Sequence, residues 1–385
     1  MRQLKEQKIS FYNKIIFALF VAANYAMFLR LLSVTGGIHA SDFSLGGLLF
    51  GILTVLFIFY LINNFTVLRD RLTSRVLVLF FYFIINNSFK GWDVNYIFAN
   101  SLWFVSVMAG YVIGVKNNYQ HVIGKISDYI SIPFMALIMM SIPNILSKTL
   151  NFTVVSDCFF VCSIFLPIAY LSKIKKYRMC FWLFWVLSII SQKRSLIIIA
   201  ILAIILILHF RPQKMKLSAY IVTMVVLVAL VIVSVSGDVF NDVFGRFLKE
   251  DAASGSGRDV LYETVWNQIK SFSFLELMFG SKIMISSVLG INVHNDILQI
   301  IHSYGIVGVA LYISVFYVYV RRLLRIRHEI TGGFWKQIYM SAWLLFIIAF
   351  VIGNLNCLVI NPPLMIPMMF FLGLWYGWLY KFGNV

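Results

Sequence analysis

The sequence contains little charge. Asp, Glu, Lys and Arg make up only 12% of its 385 residues, whereas an ordinary soluble domain has about 25%. This composition excludes a soluble globular fold, because the chain has too few polar groups to cover a water-exposed surface. Hydrophobic residues reach 61%, the mean hydropathy is +0.88, and apolar runs follow one another along the whole sequence. The sequence therefore predicts an all-α polytopic membrane protein.

Motifs for metals, disulfides and nucleotides are also missing. The four cysteines form no C-x-x-C pair and no repeated spacing, which argues against a zinc site and a disulfide framework. No P-loop occurs, and no G-x-G-x-x-G follows a strand pattern, so nucleotide binding has no support. We expect neither a metal nor a cofactor.

Apolar runs of helix length define the predicted topology. A bilayer core needs about 20 apolar residues per helix, and twelve such runs are found. They lie near 12–33, 44–62, 75–90, 96–115, 128–146, 154–171, 178–191, 195–210, 217–236, 297–320, 337–360 and 363–380. We therefore expect nine spans in residues 1–236, a long extracytoplasmic loop over 237–296, and three spans in 297–385.

The net charge of +17 could indicate nucleic-acid binding or the positive-inside rule. With both termini in the cytoplasm, 22 of the 32 Lys and Arg residues fall on the cytoplasmic side, as that rule requires. The first run follows a basic segment and has no A-x-A-like cleavage site after it, so it is predicted to be an uncleaved span. The charge excess is mainly topological, and no nucleic-acid partner is expected.

The long loop carries a helix signal of its own. Ser256-Gly257-Arg258-Asp259 has the pattern of a capping box, with Ser256 as the N-cap. Leu261, Val265, Trp266 and Ile269 then recur at helical spacing. We predict an amphipathic helix that ends at about Phe272.

Basic side chains on the extracytoplasmic side are candidates for binding an anion. Lys193 and Arg194 occupy the turn between two short spans, where a guanidinium could bind a pyrophosphate in a bidentate manner; alternatively, the turn reaches the headgroups. Arg246, Lys249 and Arg258 lie in the long loop. Arg258 begins the predicted helix, whose N-terminus also favours an anion, although it could simply be a solvated arginine paired with Glu263.

Histidine supplies the candidate general base. His294 precedes the tenth span, and an imidazole can accept a hydroxyl proton near neutral pH; a structural role is the alternative. His302 lies two turns further along and is expected to be a packed, hydrogen-bonded residue. Asp157 could orient a base or pair with Arg194, or could begin a helix at the headgroups.

Several short motifs together resemble one family. His294-Asn295, followed after nine residues by Gly305-x-x-Gly308, resembles the O-antigen polymerase and O-antigen ligase superfamily. Arg194-Ser195, then Gly257-Arg258 with Trp266, and then Phe279-Gly280 occur in that family's order. By motif the resemblance covers about residues 179–320. It implies a GT-C-like membrane fold in the bacterial inner membrane.

The resemblance also implies an activity. Members are metal-independent, inverting glycosyltransferases that use undecaprenyl-diphosphate-linked glycans as donors, and for this chain we expect such glycans as both donor and acceptor. By carry-over, His294 and Arg258 would be catalytic, Arg194, Arg246 and Lys193 would bind the pyrophosphate, and Gly305 and Gly308 would allow close helix packing. We expect a polymerase of lipid-linked repeat units, with membrane lipid and a chain-length regulator as possible partners. The alternatives are a ligase that transfers polymer to lipid A-core and, less favoured, a flippase.

Overall fold

The structure is a computed structural model, and it describes eight helices with the turns that adjoin them. The described residues are 18–22, 45–65, 70–91, 94–116, 198–203, 258–283, 295–330, 333–356 and 362–382, with a few single positions between these ranges. Nearly all of them are helical, and this part of the chain contains no strand. The helices are α1 Leu45–Ile62, α2 Arg71–Lys90, α3 Val94–Lys116, α4 Arg258–Lys270, α5 Phe274–Phe279, α6 Asp296–Ile326, α7 Gly333–Asn356 and α8 Pro362–Phe382.

Six of these helices coincide with predicted spans. They are α1, α2, α3, α6, α7 and α8. Among the described residues, α2, α6 and the Trp335–Asn354 part of α7 are long and apolar enough to cross a membrane. The prediction of an all-α membrane protein is therefore confirmed. The count of twelve spans stays a prediction, because most of the first predicted span, nearly all of the fifth, sixth, seventh and ninth, and half of the eighth lie outside the described residues.

Small residues hold α3 and α8 together. Each helix carries a G-x-x-x-G motif, Gly110 with Gly114 in α3 and Gly373 with Gly377 in α8. A Cβ added at Gly377 would lie 2.5 Å from the Tyr111 carbonyl oxygen and 3.0 Å from the Gly114 Cα. Backbones can approach this closely only where no side chain intervenes, as in other membrane helix pairs with this motif. The two helices run parallel and form the centre of the bundle.

The ends of the bundle differ in charge. Lys116, at the end of α3, donates to Asn64 Oδ1 beyond the end of α1. Arg322, near the end of α6, donates 2.8 Å to the Leu379 carbonyl near the end of α8. Asp70, the N-cap of α2, is hydrogen-bonded through its side chain to Tyr376 of α8. These helix ends and the start of α2 therefore lie together, and we call this the basic end. Its Lys and Arg residues are Arg71, Arg75, Lys116, Arg321, Arg322, Arg325, Arg327, Lys336 and Lys381.

The opposite end of the bundle contains the start of α6, and we call it the α6-start end. Here Asp296 is 2% exposed and its Oδ2 accepts 3.0 Å from the Tyr312 hydroxyl. A Cβ added at Gly353 of α7 would lie 2.5 Å from the same oxygen. Gly353 thus leaves room for a buried carboxylate between the first turn of α6 and the last turns of α7.

The predicted loop helix is present as α4, which begins at Arg258. Val265 and Ile269 form a small core with Ile285 and Val293, against which Leu298 and Ile301 of α6 pack. Trp266 does not belong to this buried face as predicted, since it is 47% exposed. It follows Val265 by one residue, which rotates it about 100° around the helix, and the ring of Tyr262 packs on the core instead.

Candidate functional site at the break in α6

α6 changes direction at Gly305. This residue has φ 66° and ψ −172°, a backbone conformation that essentially only glycine adopts. A continuous helix cannot pass through it, so residues 296–304 and 306–326 form two helical segments. Along the sequence, the break lies between the predicted site residue His294 and the membrane-spanning part of α6.

Three carbonyls next to the break accept hydrogen bonds from outside the helix. The backbone N–H of Ser281 donates 2.8 Å to the His302 carbonyl, and the Tyr82 hydroxyl donates 2.6 Å to the Tyr304 carbonyl. The Lys90 ammonium donates to the Ser303 carbonyl between them. Because a buried carbonyl without a donor is costly in an apolar environment, these three donors stabilise the broken conformation.

The chain after α5 contacts the break through backbone atoms. Gly280 has φ 85°, and a Cβ added there would lie 2.5 Å from both the Ser303 carbonyl oxygen and the Tyr304 nitrogen. A Cβ added at Gly305 would lie 2.5 Å from the Phe279 nitrogen. The Phe279-Gly280 and Gly305-x-x-Gly308 motifs, separate in sequence, are therefore in direct contact.

Side chains of α2 bind the same segment from the other side. Asn86 Nδ2 donates 2.8 Å to the Phe279 carbonyl, and the Lys90 ammonium donates 3.0 Å to the same oxygen. Lys90 also lies 5.5 Å from the centroid of the Tyr304 ring, which stacks on Phe83 of α2. α2, α5 and α6 thus meet at one polar cluster that is framed by aromatic rings.

The helix α5 carries its own N-terminal cap. The side chain of Ser273 accepts from the Glu276 N–H, and the Glu276 carboxylate accepts from the Ser273 N–H. The backbone N–H and the hydroxyl of Ser273 lower the pKa of the Glu276 carboxyl, because both donate to its ionised form. This capping box fixes the start of the segment that contacts the break.

The predicted site residues are described only in part. Arg258 is the first residue of α4. Lys193, Arg194, Arg246 and His294 lie outside the described residues, as do Asp157 and Lys249. His294 stands between two described residues, Val293, which is 0% exposed, and Asn295, whose side chain caps α6 by accepting 3.1 Å from the Leu298 N–H.

The two glycines predicted to pack against a neighbouring helix have different surroundings. Gly305 contacts the backbone of α5 in the loop region, and not another span. Gly308 faces α2, where an added Cβ would lie 3.4 Å from the Tyr82 ring. At Gly305 the partner is the Met278–Phe279 peptide, whereas at Gly308 an added Cβ would overlap the Tyr304 Cβ of α6 itself and would make only ordinary van der Waals contact with α2.

Sequence reasoning did not single out Lys90, Asn86 or Tyr82. The sequence does mark Lys90 as unusual. It is a lone lysine at the end of a predicted span, on the extracytoplasmic side, where the positive-inside rule predicts few basic residues. Asn86 and Tyr82 lie inside an apolar run and carry no local signal. Their role follows only from the carbonyls that α6 and α5 present to them.

His302 is 2% exposed and its ring meets the edge of Phe272 at 5.3 Å between centroids. His302 is packed, as predicted. Its Nδ1 atom, however, has no hydrogen-bond partner among the described residues, although a hydrogen-bonded side chain was expected. Within the same part of the chain, no group of three His, Cys, Asp or Glu side chains could hold a metal ion.

The fold and the cluster define a helical membrane protein with a polar cluster at one end. Comparison with known proteins does not assign the chain to a particular family within this class. No protein-family model matches the chain, and no curated protein matches it.

Proposed function

We propose that this protein is a polysaccharide polymerase, a glycosyltransferase that joins undecaprenyl-diphosphate-linked repeat units at the periplasmic face of the bacterial inner membrane. One observation carries the proposal. The helix that begins with Arg258 packs Val265 and Ile269 against Val293, the residue before His294. The two residues proposed as catalytic thus belong to segments that share one small apolar core.

The charge distribution supports the assignment of sides. The basic end collects nine Lys and Arg residues of the described chain, as a cytoplasmic face would, and the polar cluster lies at the opposite end. α3 ends at the basic end and α6 starts at the other, so the connection between them needs an odd number of crossings. The five spans predicted there are an odd number.

The proposed chemistry is a displacement at the anomeric carbon of the donor glycan. The acceptor hydroxyl attacks that carbon, the bond to the diphosphate oxygen breaks, and the bonding electrons leave with the diphosphate. Arg258, with Arg194, Arg246 and Lys193, would bind the diphosphate and stabilise its growing charge. His294 would accept the hydroxyl proton. Inversion of the anomeric centre follows from a single displacement.

Substitution of the two proposed catalytic residues tests the assignment. In purified protein supplied with lipid-linked repeat units, His294→Ala and Arg258→Ala should each lower polymer formation by about 100-fold or more, the range for loss of a general base or a charge-stabilising group. Lys282→Ala, which removes an exposed cation of the same loop region, is the matched control and should keep full activity. Full activity in both catalytic variants would contradict the proposal.

Gene deletion separates a polymerase from a ligase. Without a polymerase, cells should carry a single repeat unit attached to lipid A-core. Without a ligase, complete polymer should remain on the lipid carrier. The in vitro assay adds a second criterion, because a polymerase extends lipid-linked units alone, whereas a ligase needs lipid A-core as acceptor.

A further inference from the structure

Two buried side chains on one face of α6 are not accounted for by the proposed chemistry. Gln299 and His302, 5% and 2% exposed, are three residues apart and therefore neighbours on the helix surface. Within the described part of the chain, Gln299 Oε1 and His302 Nδ1 have no hydrogen-bond partner. Such atoms are rare in folded proteins, because each loses its hydration without compensation.

A third such atom belongs to the adjoining helix. Asn86 is 7% exposed, and its Nδ2 donates to the Phe279 carbonyl, which leaves Oδ1 without a partner among the described residues. Asn86 and Gln299 are linked through the break, and His302 is the neighbour of Gln299 on α6. Lys90 donates to the Phe279 and Ser303 carbonyls, and Gln299 Nε2 donates 3.4 Å to the Ser303 hydroxyl.

The chemistry of these atoms selects the ligand class. Amide oxygens accept hydrogen bonds, and an imidazole nitrogen accepts when its partner nitrogen carries the proton. The diphosphate of a lipid-linked glycan is esterified at both ends and fully ionised at neutral pH, so it offers only acceptors and cannot satisfy this set. Hydroxyl groups are donors, and a sugar presents several of them on one rigid ring.

We propose that Gln299 and His302 of α6, with Asn86 of α2, form a subsite that binds sugar hydroxyls beside the break in α6. This inference rests on the proposed function, since it names the sugar-binding part of the same site. It assigns different parts of the substrate to different residues of that site. Arginines bind the diphosphate, whereas this uncharged acceptor set binds the glycan and contributes to the choice of sugar.

The position of the subsite fits this division. Gln299 and His302 lie one and two turns into α6 from Asn295, its N-cap, and His294 immediately precedes that cap in sequence. A glycan bound along this face would lie beside the start of α6. The subsite is also on the loop side of the break, in the segment 296–304.

The test uses full-length protein in detergent and two readouts. The probes are the lipid-linked oligosaccharide from the gene-deleted cells and the free oligosaccharide released from it by mild acid. Gln299→Met and His302→Leu remove the acceptors and keep similar volume. His302→Asn retains an acceptor near the position of Nδ1. Ser314→Ala removes a hydroxyl whose hydrogen bond, within the described part of the chain, is to the Leu311 carbonyl of the same helix.

The expected results are specific to a sugar-binding role. Free oligosaccharide should raise the melting temperature of the wild type, and this shift should be lost in Gln299→Met and His302→Leu and kept in His302→Asn and Ser314→Ala. In turnover, the first two variants should raise KM by roughly 3- to 10-fold, the equivalent of one hydrogen bond, with kcat little changed.

The two proposals fail in different ways. If the wild type binds free oligosaccharide through this face but extends no lipid-linked unit, the subsite stands and the polymerase assignment falls. If the wild type polymerises while Gln299→Met and His302→Leu keep its KM and its melting shift, the subsite is wrong and the polymerase assignment stands. The absence of any oligosaccharide-induced shift in the wild type also overturns the subsite, and indicates that water alone occupies this face.

Discussion

A position can require glycine because no side chain fits there or because the backbone conformation disfavours other residues. Single Gly→Ala substitutions at four glycines separate these two constraints. Gly51 has neither constraint, since an added Cβ meets nothing within 4 Å. Gly91 has only the conformational one, with φ 66° and open space around it. Gly377 has only the spatial one, and Gly305 has both.

The structure gives a magnitude for each substitution. Gly51→Ala should be neutral or stabilise by up to about 1 kcal/mol, because alanine is the better helix former. Gly91→Ala should cost about 1–2 kcal/mol for a left-handed backbone. At Gly377 the new Cβ lies 2.5 Å from the Tyr111 carbonyl oxygen, so α3 and α8 must separate by about 0.8 Å to reach a normal C···O distance of about 3.3 Å.

Overpacking of this kind costs about 1–3 kcal/mol. Gly305→Ala adds backbone strain of about 1–3 kcal/mol to a similar overlap with the Phe279 nitrogen, so its total should be roughly 2–6 kcal/mol. The expected order of stability is Gly51→Ala, Gly91→Ala, Gly377→Ala and Gly305→Ala, from highest to lowest, with the middle two close together.

The assay is the half-life of the detergent-solubilised monomer at a fixed elevated temperature, measured by size-exclusion chromatography. A half-life is suitable because membrane proteins of this size commonly unfold irreversibly. Equal half-lives for Gly377→Ala and Gly51→Ala would refute the close packing of α3 on α8. If Gly305→Ala were no less stable than Gly91→Ala, the backbone contact between α5 and α6 would be wrong.

The remaining predictions concern the cluster at the break. Lys90→Met should remove the donor to the Phe279 and Ser303 carbonyls and destabilise the break by about 1–3 kcal/mol. Backbone hydrogen exchange over residues 279–305 should therefore be faster in Lys90→Met than in the exposed control Lys282→Met. Equal exchange rates in the two variants would contradict this role of Lys90. The pKa of Glu276 is lowered in the folded protein. Its carboxylate therefore stabilises α5 fully when the pH is above the unfolded pKa of about 4.3. This stabilisation is lost as the pH falls through the lower pKa of the folded protein. Exchange over residues 273–280 should therefore accelerate as the pH is lowered below about 4.3, after correction for intrinsic rates, and Glu276→Gln should abolish this acceleration.

Much of the architecture could be predicted from the sequence, because hydropathy and helix periodicity are local properties. The run near 297–320 and the capping pattern before Leu261 each led to a helix in the structure. The sequence contains two further local signals. The Ser273-x-x-Glu276 capping box predicts the start of α5, and the paired G-x-x-x-G motifs of α3 and α8 predict their contact.

The break in α6 could not be predicted in this way. Gly305 and Gly308 are compatible with a continuous helix, and glycine is common in membrane helices. The broken conformation depends on donors from Tyr82, Lys90 and Ser281, which are distant from Gly305 in sequence and become its neighbours only in the folded protein. For the same reason the sequence could identify His294 and Arg258 as candidates but not the uncharged acceptor face of α6.

The break also has a consequence for how the chain assembles in the membrane. An isolated α6 in lipid has no external donor for the carbonyls of His302, Ser303 and Tyr304, so we expect it to insert as one continuous helix that bonds them internally. Only after α2 supplies Lys90 and Tyr82 and the loop supplies Ser281 does the broken form become favourable. The polar cluster would then form last, after all its helices have been inserted, and a chain released before this step would be helical and membrane-embedded but would lack the cluster.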